Sequence, residues 1–182
     1  ITLDLGEARP WPPYKGFMNA MPAYLGDVDI AGIKWAGGFQ DNYKIGLPYI
    51  SAMILLINPK NGTFLAAMDG AHITAVRTGA ASAICAKALA RKDASILGII
   101  GAGVQGRMHL RAFQQVFKLK EVRVFDTKEG AAEKYREEMT GELGLNILPK
   151  RSYQEVTEGA DIVCTVTIGD EPMVKKEWLK KG

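Results

Sequence analysis

The chain has 182 residues, 47% of them apolar and 24% charged, with a formal net charge of +3. This composition excludes a disordered or collagen-like polypeptide and leaves a globular protein with room for two domains of about 90 residues each. Charges are spread along the chain without a long run of one sign, and no aromatic residues interleave basic clusters, so nucleic acid is not an expected partner.

The longest apolar stretch, from Tyr49 to Ile57, is about half of what a bilayer crossing needs, and no membrane partner is expected. The opening ITLDLGEARP lacks a signal-peptide pattern, which points to the cytoplasm. Cys85 and Cys164 lack CxxC spacing, so neither a disulfide framework nor a thiolate zinc site is expected. His72 and His109, the only histidines, are too few for a His-rich metal centre and read as surface or helix-end residues.

Taken in chain order, GFMNAMPAYLG, DIAGIKWAGGF, PYISAMILLIN and TFLAAMDG are apolar or alternating runs bounded by turn residues, which predicts strands. Asn61-Gly62 marks a hairpin between the last two. A helix then starts near Asp69, which can cap it, and Ile73, Val76, Ala80, Ile84 and Ala88 recur at helical spacing until Arg91. Its small residues predict close packing. From Ala94 the grammar changes to strand, helix, strand, helix. SILGIIG reads as a buried parallel strand, Val104 to Phe117 as a helix with Leu110, Phe113 and Phe117 inward, and EVRVFD as a second strand. Lys128 to Glu142 forms a charged surface helix, LNILPK a third strand and ADIVCTVT a fourth. The fold class is therefore α/β. An incomplete Rossmann-type doubly wound parallel sheet of about four strands (residues 94–182) follows an N-terminal α+β domain (residues 1–93).

The sharpest motif is Gly101-Ala102-Gly103-Val104-Gln105-Gly106, a GxGxxG between a buried strand and a helix, with Asp126 closing the next strand. Gly101 permits the tight turn, Gly103 lets a pyrophosphate approach the backbone, and Gly106 lets helix and strand pack closely. The helix N-terminus supplies free N–H groups. Asp126 would accept hydrogen bonds from ribose hydroxyls and repel a 2′-phosphate, which favours NAD. Lys128 nearby is compatible with NADP.

Arg77 borders the apolar stripe of the first helix, where a charge needs a partner. It is either an arginine that snorkels to a structural carboxylate or a fork for a substrate carboxylate or cofactor phosphate; Thr78 beside it can donate to a phosphate oxygen. Lys34, within the apolar pattern GIKWAGG, either points outward or is held for chemistry. Met18, Met21, Met53 and Met68 read as core filler, with Met21 also a candidate substrate contact.

AMPAYLG, GIKW, GLP, MDGAHITAVRTGAASAICAKALAR, IGAGVQG, VFD, ADIVCTVT and EPMVKKEWLKKG, in this order, resemble the ornithine cyclodeaminase and mu-crystallin family, which includes archaeal-type alanine dehydrogenases and ketimine reductases. The resemblance implies a substrate domain that dimerises through its sheet, with a Rossmann domain behind it. It places Lys34 on the family's active-site lysine and Arg77 on the arginine that binds the amino-acid carboxylate beside the cofactor. Val104 and Gln105 fall on the loop over the pyrophosphate, Asp126 on the ribose acid, and Thr165 and Thr167 at the end of the fourth strand near the cofactor. It further implies an NAD-dependent enzyme transferring hydride at the Cα–N bond of an L-amino acid. Ketimine reduction, or binding of NAD(P)H and a small ligand without turnover, are the alternatives.

Three departures from the family are visible. Tyr49 stands where the family often has threonine after GLP. Arg9 lies near a substrate-binding basic position but out of register. The family's catalytic aspartate follows a fifth Rossmann strand that this sequence does not reach. With its start at Ile1 and its stop at Gly182, the chain is expected to be a piece of a longer protein.

Overall fold

The computed structural model describes residues 2–4, 15–169 and 171–181; Arg9 lies outside them. Two compact units divide the chain, Ile1–Thr74 and Ala75–Gly182. The division falls inside the long helix, whereas the sequence grammar changes only at Ala94.

In the first unit, strands β1 (Thr2–Asp4), β2 (Gly16–Leu25), β3 (Ile30–Phe39), β4 (Ile50–Ile57) and β5 (Phe64–Asp69) form one antiparallel sheet in sequential order. β2 and β3 pair along their whole length, from Gly16 opposite Phe39 to Leu25 opposite Ile30. A single 3-10 turn joins them, with Asp29 in the left-handed region and its carboxylate accepting from the Tyr24 hydroxyl at 3.0 Å. Between β4 and β5, Asn61 and Gly62 turn the chain as expected. The connection runs from Asn58 to Thr63, longer than a two-residue hairpin, because the Gly62 N–H (2.8 Å) and the Asn61 N–H (3.4 Å) both donate to the Asn58 carbonyl.

Side chains alternate across this sheet. Ala36 is buried on one face, while Trp35 and Met53, directly paired across β3 and β4, are 55% and 54% exposed on the other. Met53, and Met68 on the opposite face, are exposed, contrary to a core-filling role; among the described residues, the face with Trp35 and Met53 carries exposed apolar side chains.

Helix α1 (Ala71–Leu89) begins where the Asp69 carboxylate accepts from the Ala71 N–H at 3.0 Å, the capping role expected of it. The expected stripe does not face inward: Ile73, Val76 and Ile84 are exposed, and the buried positions are Thr74, Ala75, Gly79 and Ala83. Close approach of a second helix decides this. A Cβ at Gly79 would lie 2.7 Å from the Met108 carbonyl oxygen, so only small residues fit on that side, and the larger ones are displaced outward.

The second unit is built on a parallel sheet. Its strands are β6 (Ile96–Ile100), β7 (Glu121–Phe125), β8 (Ile147–Pro149) and β9 (Ile162–Thr165), in the order β8-β7-β6-β9. This is the 3-2-1-4 half of a doubly wound sheet, with its switch point between β6 and β9. Helices α2 (Val104–Val116) and α3 (Ala131–Leu143) connect the first three strands. α3 starts three residues later than the charge pattern predicts, because Gly130 takes a left-handed conformation before it. A short helix, α4 (Tyr153–Thr157), precedes β9; Ser152 caps it by accepting from the Glu155 N–H, a feature the apolar pattern does not signal.

Leu97, Ile99, Leu110, Phe113, Val122, Val124, Tyr135 and Met139 are almost wholly buried and make the core. Each large apolar side chain contributes about 1.5–3 kcal/mol. Asp161, just before β9, accepts from the N–H groups of Ser95 and Ile96 at 2.9 Å each, from Arg91 at 2.6 Å and from Lys180 at 2.9 Å. It joins the sheet's leading edge to the C-terminal segment. Among the described residues, no helix is long and apolar enough to cross a membrane.

Candidate functional site

The end of β6 runs straight into the glycine loop. Gly101 has φ +112°, and a Cβ there would lie 2.6 Å from the Val166 carbonyl and 3.0 Å from Thr167 Cβ; a left-handed conformation and close neighbours both require glycine. At Gly106 a side chain would collide with the Gly101 carbonyl. Gly103 differs from both: a Cβ there meets nothing within 4 Å. Its glycine keeps a space open in front of the α2 N-terminus, where the first N–H groups have no intrahelical acceptor.

Asp126 follows β7 and faces this loop. Its carboxylate accepts from the Ala102 N–H at 2.7 Å through one oxygen and from the Lys128 N–H at 2.9 Å through the other. The carboxylate is thereby fixed in direction and retains lone pairs, since an ionised carboxylate offers about four acceptor sites. It borders a cavity of about 370 Å³ with Ala102, Gly103, Arg107, Lys128 and Lys134. Thr165 lies opposite Ile100 in the β6–β9 ladder, and Thr167 abuts Gly101. The glycines, Asp126 and Thr167 are brought together; Val104, 63% exposed, and Gln105 occupy the first turn above them.

Arg77 is exposed on α1 and makes no ion pair among the described residues. No structural carboxylate therefore accounts for its charge. Thr78 beside it is half-buried. His109 departs from its sequence reading: it is only 2% exposed, in the middle of α2. One ring nitrogen lies 2.8 Å from the Gln105 carbonyl, the other 3.0 Å from Ser82 Oγ. Because a carbonyl can only accept, Nδ1 carries the proton and Nε2 accepts from the Ser82 hydroxyl. Burial lowers the affinity of this imidazole for a second proton, outweighing the Gln105 carbonyl, which raises it.

In the first unit, Lys34 and Met21 are directly paired across β2 and β3 and share a face. Lys34 Nζ donates to Thr74 Oγ1 at 3.2 Å, so its side chain is held inward against the first turns of α1. The outward-pointing reading of Lys34 is thereby excluded.

Two features of the site escaped the sequence reading. Arg107 folds back on the glycine loop, and Tyr135, fully buried, donates to the Gly106 carbonyl at 3.0 Å. The available signal was position: Arg107 stands four residues after Gly103, one helical turn on. Nothing in the sequence singles out Tyr135 among the polar residues of α3.

Residues 9–182 match the family model described as the ornithine cyclodeaminase/mu-crystallin family. The chain is 38% identical over 173 residues to ketimine reductase mu-crystallin of Mus musculus, covering 95% of this chain and 54% of that protein. It superposes with a TM-score of 0.88 on the Thermococcus litoralis Δ1-pyrroline-2-carboxylate reductase in complex with NADH and L-proline; the two are 45% identical over 92% of this chain and 52% of that one. With an archaeal alanine dehydrogenase dimer with bound NAD, the TM-score is 0.84 at 37% identity, over 94% and 54% of the two chains. The chain spans about half the length of the curated relatives it matches.

Proposed function

The chain belongs to the ornithine cyclodeaminase/mu-crystallin family, and from that premise we propose that the protein carrying it is an NAD-dependent enzyme acting at the Cα–N bond of an L-amino acid. The observation that carries the reading is the open space at Gly103 above the α2 N-terminus, with the fixed Asp126 carboxylate on the same loop. A pyrophosphate needs the first and a ribose the second. NAD, when bound, supplies the hydride acceptor.

The chain's own residues bind and orient. The Gly103, Val104 and Gln105 amides would receive the pyrophosphate and Asp126 the ribose hydroxyls, with Thr165 and Thr167 as further candidates to hold the cofactor beside Gly101. Arg77 offers a two-pronged donor to the substrate carboxylate. Lys34, steadied by Thr74, adds a second cation, and Met21 beside it gives an apolar wall. Binding of the substrate carboxylate would hold Cα in place for hydride loss, which is catalysis by position. Residues 1–93 serve as the substrate and dimerisation part and residues 94–182 as the cofactor part. The uncovered face around Trp35 and Met53 takes a second copy of the chain, in a cytoplasmic homodimer.

The test uses the gene product that carries this sequence, with NAD and either L-ornithine or L-alanine, recording ammonia and NADH together. Ammonia matched by NADH identifies a dehydrogenase; ammonia without NADH accumulation identifies a cyclodeaminase. The 45% identity to a reductase of a cyclic imine favours a second reading, the same hydride step run backward. It is tested by NADH oxidation with Δ1-pyrroline-2-carboxylate. Binding of NADH with no turnover in either assay leaves a ligand-binding protein.

A further inference from the structure

The amides of the glycine loop are aimed by a side chain that the motif itself does not include. Arg107 Nη1 donates to the carbonyl oxygens of Ala102 and of Gly103, the latter at 3.2 Å. Its Nε and Nη2 donate to one oxygen of Glu138 on α3, at 2.8 and 2.5 Å, and the guanidinium lies 5.2 Å from the centre of the Tyr135 ring. Tyr135 in turn holds the Gly106 carbonyl. The guanidinium is therefore fixed from two sides before it reaches the loop.

A peptide unit is planar and trans, so its C=O and N–H point in opposite directions. Fixing the Ala102 carbonyl fixes the Gly103 N–H, and fixing the Gly103 carbonyl fixes the Val104 N–H. Asp126 holds the preceding amide, that of Ala102, from the other side. Turning two carbonyls onto a cation also removes two partial negative charges from the face an anion would approach.

We propose that Arg107 is a positioning residue for the pyrophosphate of a dinucleotide: it acts through the loop carbonyls, and Glu138 and Tyr135 hold it in place. The inference rests on the dinucleotide reading above, and it names the determinant of phosphate affinity at that site. Its signature is selectivity by ligand fragment. Loss of Arg107 weakens ligands that carry a pyrophosphate and spares those that do not.

The experiment measures NADH binding by fluorescence to the gene product carrying this chain, with ADP and adenosine as competitors. In Arg107→Met, NADH and ADP should bind at least tenfold more weakly and adenosine within twofold of wild type. Arg107→Lys keeps the charge and reaches one carbonyl, and should fall between. Glu138→Met removes the acceptor that holds the guanidinium, leaves Arg107 in place and should cost NADH about threefold; it decides the matter if Arg107→Met does not fold. NADH affinity within twofold of wild type in Arg107→Met, or unchanged in Glu138→Met, overturns the proposal. So does an equal loss for adenosine, which would make Arg107 a general wall of the pocket. Wild-type protein that binds neither NADH nor ADP would instead overturn the dinucleotide reading itself.

Discussion

Lys34 and Thr74 are 40 positions apart in sequence and meet through a 3.2 Å hydrogen bond from Nζ to Oγ1. Thr74, 8% exposed, is fixed in the first turns of α1 and offers a stationary acceptor to a long, flexible side chain. Thr74→Val keeps the shape and removes that acceptor. With one hydrogen bond worth about 1 kcal/mol, KM for the amino acid or imine should rise about fivefold while kcat changes little. Thr74→Ser should recover most of the loss. Steady-state kinetics at saturating cofactor checks this, and equal KM for the valine and serine variants would remove Thr74 from the site.

Asp126 should set the choice between cofactors. Its carboxylate borders a cavity that also presents Lys128 and Lys134, and these would welcome a 2′-phosphate if the carboxylate were gone. Asp126→Ser should move the NADP-to-NAD ratio of kcat/KM by tenfold or more toward NADP, about 1.4 kcal/mol. If both cofactors weaken equally, the carboxylate acts on the loop alone.

Trp35 and Met53 form a cross-strand pair on the uncovered sheet face. An apolar face of this kind is the expected core of a homodimer interface. Light scattering should find the wild type as a dimer and Trp35→Glu as a monomer, because the charge would be desolvated without a partner. A wild-type monomer at micromolar concentration contradicts the assignment.

The parallel sheet was legible in the sequence because a strand buried on both faces must be uniformly apolar, as SILGIIG is, and because Gly101 and Gly106 answer steric demands at the turn and at the helix–loop contact. α1 was misread for an equally physical reason. Periodicity reports which apolar residues share a stripe but not which stripe is covered, and a helix lined by Ala75, Gly79 and Ala83 on one side and Ile73, Val76 and Ile84 on the other is apolar all round. The Gly79 contact with α2 decides between them, and it depends on a residue 29 positions away. Arg107 was missed because a charge next to a glycine motif looks solvated until Glu138 and Tyr135, on another helix, are placed beside it.

Asp161 should govern stability in acid. Burial pushes its carboxyl up, but the Ser95 N–H, the Lys180 ammonium and the Ile96 N–H together pull it down to about 2 from the ordinary 3.8. A depressed carboxyl contributes stability that is fully present above pH 3.8 and is lost as pH falls toward 2. Asp161→Ala leaves two N–H groups and two cations without their acceptor and should cost about 2–4 kcal/mol at pH 7. Its unfolding free energy should also be flatter than wild type below pH 4. Denaturant titrations across that range test both, and parallel acid limbs would show that another carboxylate dominates.

His109 links α1 to the glycine loop through Ser82 and Gln105, and this should make the loop sensitive to mild acid. The ring is neutral when buried, with its pKa lowered from 6.5, so between that lowered value and 6.5 the unfolded chain binds the proton more readily than the folded one. Stability is therefore complete above pH 6.5 and declines as pH falls below it. Because the Gln105 peptide belongs to the first turn of α2, where the pyrophosphate would bind, affinity for NADH should weaken in the same window. His109→Gln retains hydrogen-bonding capacity without titrating. It should cost about 1–2 kcal/mol at pH 7 and be less dependent on pH than wild type between 7 and 5, in melting temperature and in NADH affinity alike. The comparison subtracts every other group that titrates in this range. Curves that stay parallel would mean that the buried ring takes up no proton before the protein unfolds.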